Sequence, residues 1–189
     1  MIDTERLHLR PFRAEDLPAF AAYRRVPEVA RYQSWDTTFS LADAERFLAA
    51  QREVEFGEPG EWVQLAAVDR ATGELCGDCA VRVIAAQTAE LGVTMAPAHQ
   101  GRGLANEALA GVIDRLFEEH GMHRIYAETD DRNVAVHRLF ERLGFRCEAR
   151  LVEADWFKGE WTTLRVYEIL RREWADARPR RAAARAKGR

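Results

Sequence analysis

Residues 89–108 read AELGVTMAPAHQGRGLANEA, a strand that runs through a glycine-bearing loop into the start of a helix. Gly101 and Gly103 let the backbone turn tightly and come close to a ligand. The first free amides of the following helix point outward with the positive end of its dipole, an arrangement that binds a phosphate or pyrophosphate. Arg102 could add a charge-assisted contact to the same anion. A bare Gly-x-Gly is also the mark of an ordinary turn, so the loop alone does not decide. A dinucleotide-binding fingerprint fits poorly, because it wants its first glycine directly after the strand and here Ala96 to Gln100 intervene.

Downstream, Leu109, Val112, Ile113, Leu116 and Phe117 form one stripe of a helix over Ala105 to His120, with Gly121 placed to end it. Arg124 to Asp130 reads as a strand, so strand, helix and strand form a right-handed parallel crossover. Val136, Leu139, Phe140 and Leu143 keep helical spacing after Asn133, and Gly144 stops that helix. Arg146 to Val152 and Thr162 to Leu170 are expected as strands around a turn at Lys158-Gly159-Glu160. Upstream, Trp62 to Val68, Leu75 to Ile84 and Ala89 to Met95 read as an antiparallel meander. Before it lie a short strand with Leu7 and Leu9, and a helix after Asp16 carrying Leu17, Phe20 and Ala21, which Pro27 stops or bends. A second helix carries Phe47 and Leu48 and is capped by Ser40 and Asp43. The expected fold class is α/β (α+β): a mixed, mostly antiparallel central sheet flanked by helices.

A chain of 189 residues, 47% hydrophobic and 31% charged, suits one soluble domain. We expect it to span residues 1–171 and to be followed over 172–189 by a basic tail that reads as disordered. The net charge of −3 conceals an asymmetry: residues 1–170 carry 20 basic against 29 acidic side chains. An acidic body suits a cationic substrate. No apolar run approaches the roughly 18 residues of a membrane span, and Met1 to Arg10 show no secretory signal, so the expected address is cytoplasmic. Cys76, Cys79 and Cys147 read as thiols, the first two buried on a strand, and no metal centre is expected.

At these residues the sequence resembles the GNAT acetyltransferase family. Gln100-x-x-Gly103-x-Ala105 between a strand and an amphipathic helix is similar to its acetyl-CoA signature. Asn133-x-Ala135, Leu143-Gly144-Phe145 and Thr4-Glu5-Arg6-Leu7-x-Leu9-Arg10-Pro11 join it at the expected distances. Together they resemble the branch that includes ribosomal-protein N-terminal (alanine/serine) acetyltransferases, and cover about Thr4 to Leu170. The resemblance implies a GNAT fold and an acetyl-CoA-dependent N-acetyltransferase. In it the backbone of Val93 and Met95 holds the pantetheine arm, and Gln100, Gly101, Arg102, Gly103, Leu104, Ala105 and Asn106 receive the diphosphate. Asn133 contacts the cofactor, caps the helix that follows, or does both.

The implied reaction is direct transfer of the acetyl group to a primary amine in a ternary complex. Glu90 and Glu128 are the candidate bases, each also readable as an ordinary salt-bridged carboxylate. The family often protonates the departing thiolate with a Tyr or Ser on the helix after Asn133. Here those positions hold Phe140 and Val136, and His137 reads as a surface residue beside the buried stripe. Tyr32, Trp35 and Asp155 to Trp161 are expected to border the acceptor cleft, with core packing as the alternative for the aromatics. The acceptor stays open between a protein N-terminus and a small cationic amine, including an aminoglycoside-type substrate. A non-catalytic acyl-CoA sensor is the rival function. Nucleic acid could be met only through the basic tail, and the oligomeric state, a homodimer among the options, is not readable from sequence.

Overall fold

The computed structural model describes residues 1–51, 54–85 and 87–177. Chain order is β1 (Ile2–Asp3), β2 (Leu7–Pro11), a 3-10 turn (Ala14–Asp16), α1 (Leu17–Arg24), α2 (Pro27–Ala30), α3 (Leu41–Gln51), β3 (Val63–Asp69), β4 (Leu75–Ala85), β5 (Thr88–Met95), a second 3-10 turn (Pro97–His99), α4 (Leu104–Glu118), β6 (Arg124–Asp130), α5 (Val134–Leu143), β7 (Arg146–Phe157) and β8 (Glu160–Leu170). The strands form one sheet in the order β1-β2-β3-β4-β5-β6-β8-β7. Among the named strands only β5 and β6 pair in parallel, joined through α4 as the crossover pattern predicts.

Two apolar clusters sandwich the sheet. One face packs on α4 and α5: Leu104, Leu109, Val112, Ile113, Leu116 and Phe117 meet Leu91, Ile125, Phe140 and Tyr167. The opposite face packs on α1 to α3 through Phe12, Phe20, Tyr23 and Val29, with Phe39 and Phe47 against them. Period-2 strands fit because successive side chains serve opposite layers.

Local signals held where one residue type has one job. Ser40 and Asp43 form the capping box of α3: the Ser40 amide donates to Asp43 (2.7 Å), and the Asp43 amide to Ser40 Oγ (3.2 Å). Gly144 ends α5 in the left-handed region at φ +91°. The first helix stops at Arg24, and Pro27 opens α2 rather than only breaking α1, since a proline at the first helical position gives up an amide that is unpaired anyway. The last two strands are longer than expected and meet at a two-residue turn, Lys158-Gly159. Cys76 and Cys79 lie buried on β4, where burial pushes the Cys76 thiol up to about 11 and raises Cys79 further.

The ordered chain does not stop at 171. Residues 171–177 are helical, and Trp174 is 3% exposed within the α4 cluster, its indole Nε1 donating to Asp114 of α4 (2.7 Å). The first part of the expected tail is thus a packed element: local composition is basic, but one large aromatic anchors it. The remainder of that tail, 178–189, lies outside the described residues. Trp174→Ala is expected to cost about 3–5 kcal/mol in urea unfolding. Trp156→Ala, at a side chain 60% exposed, should change stability by under about 0.5 kcal/mol.

Candidate active site

The parallel pairing of β5 and β6 lasts for three positions, Thr88 with Arg124, Ala89 with Ile125 and Glu90 with Tyr126, after which the strands part. Each keeps its other neighbour: β5 stays in register with β4 as far as Met95, and β6 with β8 as far as Asp130. The opening is a cleft of about 940 Å³. The Ala96 amide donates to Cys76 O (2.9 Å), so alternation along the antiparallel pair turns the main-chain groups of Val93 and Met95 away from β4 and into the cleft. Such a free edge suits an extended chain rich in amides.

At the top of the cleft α4 begins on Gly103, left-handed at φ +77°, with no side chain capping the helix among the described residues. Gly101 is also left-handed, at φ +71°, and a Cβ there would meet nothing within 4 Å. Its role is therefore conformational freedom rather than close packing. Gln100 Nε2 donates to Met95 O (3.0 Å) and fastens the loop to the strand end. The leading amides of α4 stay available to an anion, with the helix dipole behind them.

Of the loop residues, Gln100, Gly101, Gly103, Leu104 and Ala105 line this cleft, as do Val93, Met95, Asn133, Glu90, Glu128 and Tyr32. Arg102 and Asn106 are not among the lining residues. The Arg102 guanidinium instead lies 3.1 Å from His99 Nδ1, on the side of a separate cavity shared with Asp16 and Glu74. Asn133 does what its position after a strand predicts: its Oδ1 accepts from the Val136 amide (3.3 Å), and it still borders the cleft. Trp35 is not a cleft residue. Its ring lies against the Arg24 guanidinium, 3.7 Å from ring centre to carbon, and its Nε1 donates to Arg24 O (3.1 Å). The buried cation recruited the aromatic. His137 is buried rather than surface-facing: Nε2 donates to Asp130 O (3.0 Å) and the ring stacks on Tyr167, while burial lowers its pKa. A helical stripe sees only its own helix, whereas β8 supplies the cover here.

The two glutamates share one sheet face and differ in environment. Glu90, 9% exposed, pairs with Arg82 (2.7 Å) and accepts from Tyr126 OH (3.4 Å). Glu128 shows no ion pair or hydrogen bond among the described residues. Partial desolvation by the cleft walls raises its pKa, and the negative charges of Glu90 and Asp155 push the same way against the opposing Arg82. Val136 and Phe140 face the same cleft and carry no transferable proton.

Sequence reading missed Glu107. Its Oε1 accepts from Thr4 Oγ1 (2.6 Å) and the Arg6 amide (2.7 Å), its Oε2 from Arg6 Nε (2.6 Å), and Arg6 Nη1 also donates to Arg102 O (2.9 Å). The amino-terminal motif and the glycine loop are thus two halves of one polar clamp. The signal was present as a Thr-x-Arg and a Glu near the two motifs, but only the fold pairs them. Burial would raise the Glu107 carboxyl, and its three donors outweigh that and hold it lower than usual. A lowered carboxyl stabilises the fold above its unfolded value, about 4.3, and this is lost as pH falls through the folded value. Glu107→Ala should therefore cost about 1.5–3 kcal/mol at pH 7 in chemical unfolding, with the gap to the parent narrowing in acid.

A chain whose parallel strands part beside an uncapped, glycine-led helix is built as an acyl-CoA N-acyltransferase. The family model for the acetyltransferase (GNAT) domain matches residues 6–146, and the chain belongs to the GNAT family. The uncharacterized N-acetyltransferase p20 of Bacillus licheniformis is 27% identical over 174 residues, covering 91% of this chain and 97% of that protein. Spermidine N-acetyltransferase from Vibrio cholerae, solved with CoA and spermine, superposes with a TM-score of 0.77 at 22% identity, over 90% of this chain and 98% of that one. A Vibrio cholerae protein assigned provisionally as a ribosomal-protein-serine acetyltransferase gives 0.76 at 26% identity, over 89% and 96%. The fold class read from the sequence is the one observed, and the chain is an acetyl-CoA-dependent N-acetyltransferase. No described helix is long and apolar enough to cross a membrane.

Proposed function

We propose that this chain acetylates the primary amine of a small cationic acceptor by direct attack in a ternary complex, with Glu128 as the base. The observation that carries the reading is the acidic face of the cleft, where Glu128 has no ion-pair partner among the described residues while Glu90 pairs with Arg82. Glu28, Asp155 and Tyr32 border the same space. A cationic amine is drawn there, and the acidic body of the chain favours the same charge. The solved relative that holds spermine makes a polyamine the first acceptor to try.

The residues present fit acetyl-CoA. The main chain of Val93 and Met95 would hold the pantetheine arm, the loop from Gln100 to Ala105 the diphosphate, and Asn133 would contact it from the far wall. Arg102 and Asn106 do not line the cleft. When bound, acetyl-CoA supplies an activated acetyl thioester. Glu128 takes the proton of the ammonium directly or through water, the freed amine forms the new N–C bond as C–S breaks, and the Met95 amide donates to the charge developing on the carbonyl oxygen. Alignment of two reactants can lower the barrier by about 7–11 kcal/mol, and one oxyanion donor by about 3–4 kcal/mol, so placement outweighs acid–base work. With Val136 and Phe140 apolar and His137 held by Asp130, the second proton shed by the acylated nitrogen would pass through water to the departing thiolate. The three free cysteines accord with a reducing, cytoplasmic setting.

Release of free thiol should be fastest with spermidine or spermine and at least about tenfold slower, as kcat/KM, with a seryl or alanyl peptide N-terminus. The reverse order would shift the acceptor to proteins, and no release with any amine would favour a sensor. The base is tested separately. A raised carboxyl acts as a base only above its own folded pKa, so log kcat/KM should climb with pH through a limb above the ordinary glutamate value of about 4.3. Glu128→Gln should remove that limb and lower kcat about 10²-fold or more at pH 7. A raised carboxyl also opposes folding wherever it is ionised, so the same variant should melt no lower than the parent at pH 7.

A further inference from the structure

We infer that Lys158 is a positioning residue for the acceptor, latching the tip of the β7–β8 hairpin to the α2 segment so that the two walls of the acceptor half of the cleft keep a fixed separation. The inference rests on the acceptor reading above. Lys158 occupies the first place of the hairpin turn at φ +49°, followed by Gly159 at +87°. A two-residue turn with both φ positive favours Asn, Asp or Gly at that place, and a long side chain there is a poor local choice.

The compensation is across the cleft. The ammonium donates to Ala30 O (2.8 Å) and Trp35 O (2.7 Å) and lies 3.2 Å from Asp36 Oδ1, so its three N–H groups meet three acceptors. Ala30 is the last residue of α2, and its carbonyl also accepts from the Gln33 amide (3.0 Å), so the ammonium joins a turn that is already closed. The Trp35 anchor is itself rigid, because its ring and indole N–H are both engaged by Arg24, a buried cation that also sits over the Phe20 ring.

The joined segments are the ones that face the acceptor. Tyr32 and Gln33 follow α2, and Asp155 and Phe157 precede the turn; all four line the cleft. On the hairpin, the register passes from Leu151 opposite Leu164 to Asp155 opposite Thr162, so β7 carries two extra residues. That bulge bends the hairpin, and Asp155 beyond it lines the same cleft as Glu128. Lys158 holds the bent tip where the bulge delivers it. A second tie runs parallel: Arg132 Nη1 donates to Glu160 (2.8 Å), and Arg132 O accepts from Tyr32 OH (3.4 Å).

Lys158→Asn separates turn from latch, since Asn suits the turn better and cannot reach α2. The full chain is assayed with spermidine and acetyl-CoA, and amide hydrogen exchange is followed over 27–36. The variant should raise the acceptor KM about tenfold with kcat at saturation and the acetyl-CoA KM each within about twofold. Exchange over 27–36 should quicken, and Lys158→Arg should recover most of the affinity. Unchanged exchange overturns the latch. Faster exchange with an unchanged acceptor KM reduces it to a structural tie and overturns the positioning role, as does a loss shared equally by both substrates. Absence of turnover by the unsubstituted chain with any amine overturns the acceptor reading itself, and this inference with it.

Discussion

The site depends on two neighbouring strands declining to pair. Parallel strands joined by a crossover ordinarily keep their ladder, yet β5 and β6 exchange register for only three pairs before parting. Their outer neighbours keep both rigid, so the gap is a fixed feature with two built walls. Main-chain groups left without a ladder partner must be met by water or ligand. The gap therefore exposes an amide edge beside the point where the chain turns into α4. Ligands of open α/β sheets bind outside the carboxyl ends of the strands, and here α4 and α5 follow β5 and β6 from that end. One geometric event supplies the edge for an amide-bearing arm and the helix start for its anionic end.

The two sheet faces then divide the labour. Because side chains alternate, Leu91 and Ala127 point into the α4–α5 cluster, while Glu90 and Glu128 point to the opposite side. The α5 side of the cleft is apolar, with Val136, Leu139 and Phe140, and the other side is acidic. A ligand that is apolar toward its thioester and a cationic partner can meet in the gap without sharing a wall. Burying Arg24 among aromatic rings beside Asp78 and Tyr23 keeps the α1–α3 layer rigid. A buried cation with those partners is costly to move.

What was legible in the sequence is what a short stretch decides alone. Gly103 at a left-handed helix start, Gly144 at a helix end, Asn133 as a cap and the stripe of α4 each answer to local geometry, and each was placed from spacing. The misplaced residues answer to partners on other elements. Trp35 goes to Arg24, His137 to Asp130 O and Tyr167, and Trp174 to Asp114, a separation of 60 residues in the last case. Arg102 shows the same limit inside the best motif: it belongs to the loop, but its side chain lies against His99 beside a separate cavity.

The glutamate pair shows what strand register adds to a motif. On sequence, Glu90 and Glu128 are both candidate bases, one on each strand flanking the opening. Register makes them unequal: Glu90 sits opposite Arg82 on β4 and opposite Tyr126 on β6, at the last rung before the strands part. Glu128 is two residues further along β6, beyond the rung, where β5 no longer offers a partner. The compensated carboxylate then acts on its neighbour chiefly by charge, helping to keep the Glu128 pKa up, the direction a proton acceptor near neutral pH needs. The parting of the strands thus opens the binding gap and leaves at its edge one carboxylate with no ion-pair partner among the described residues.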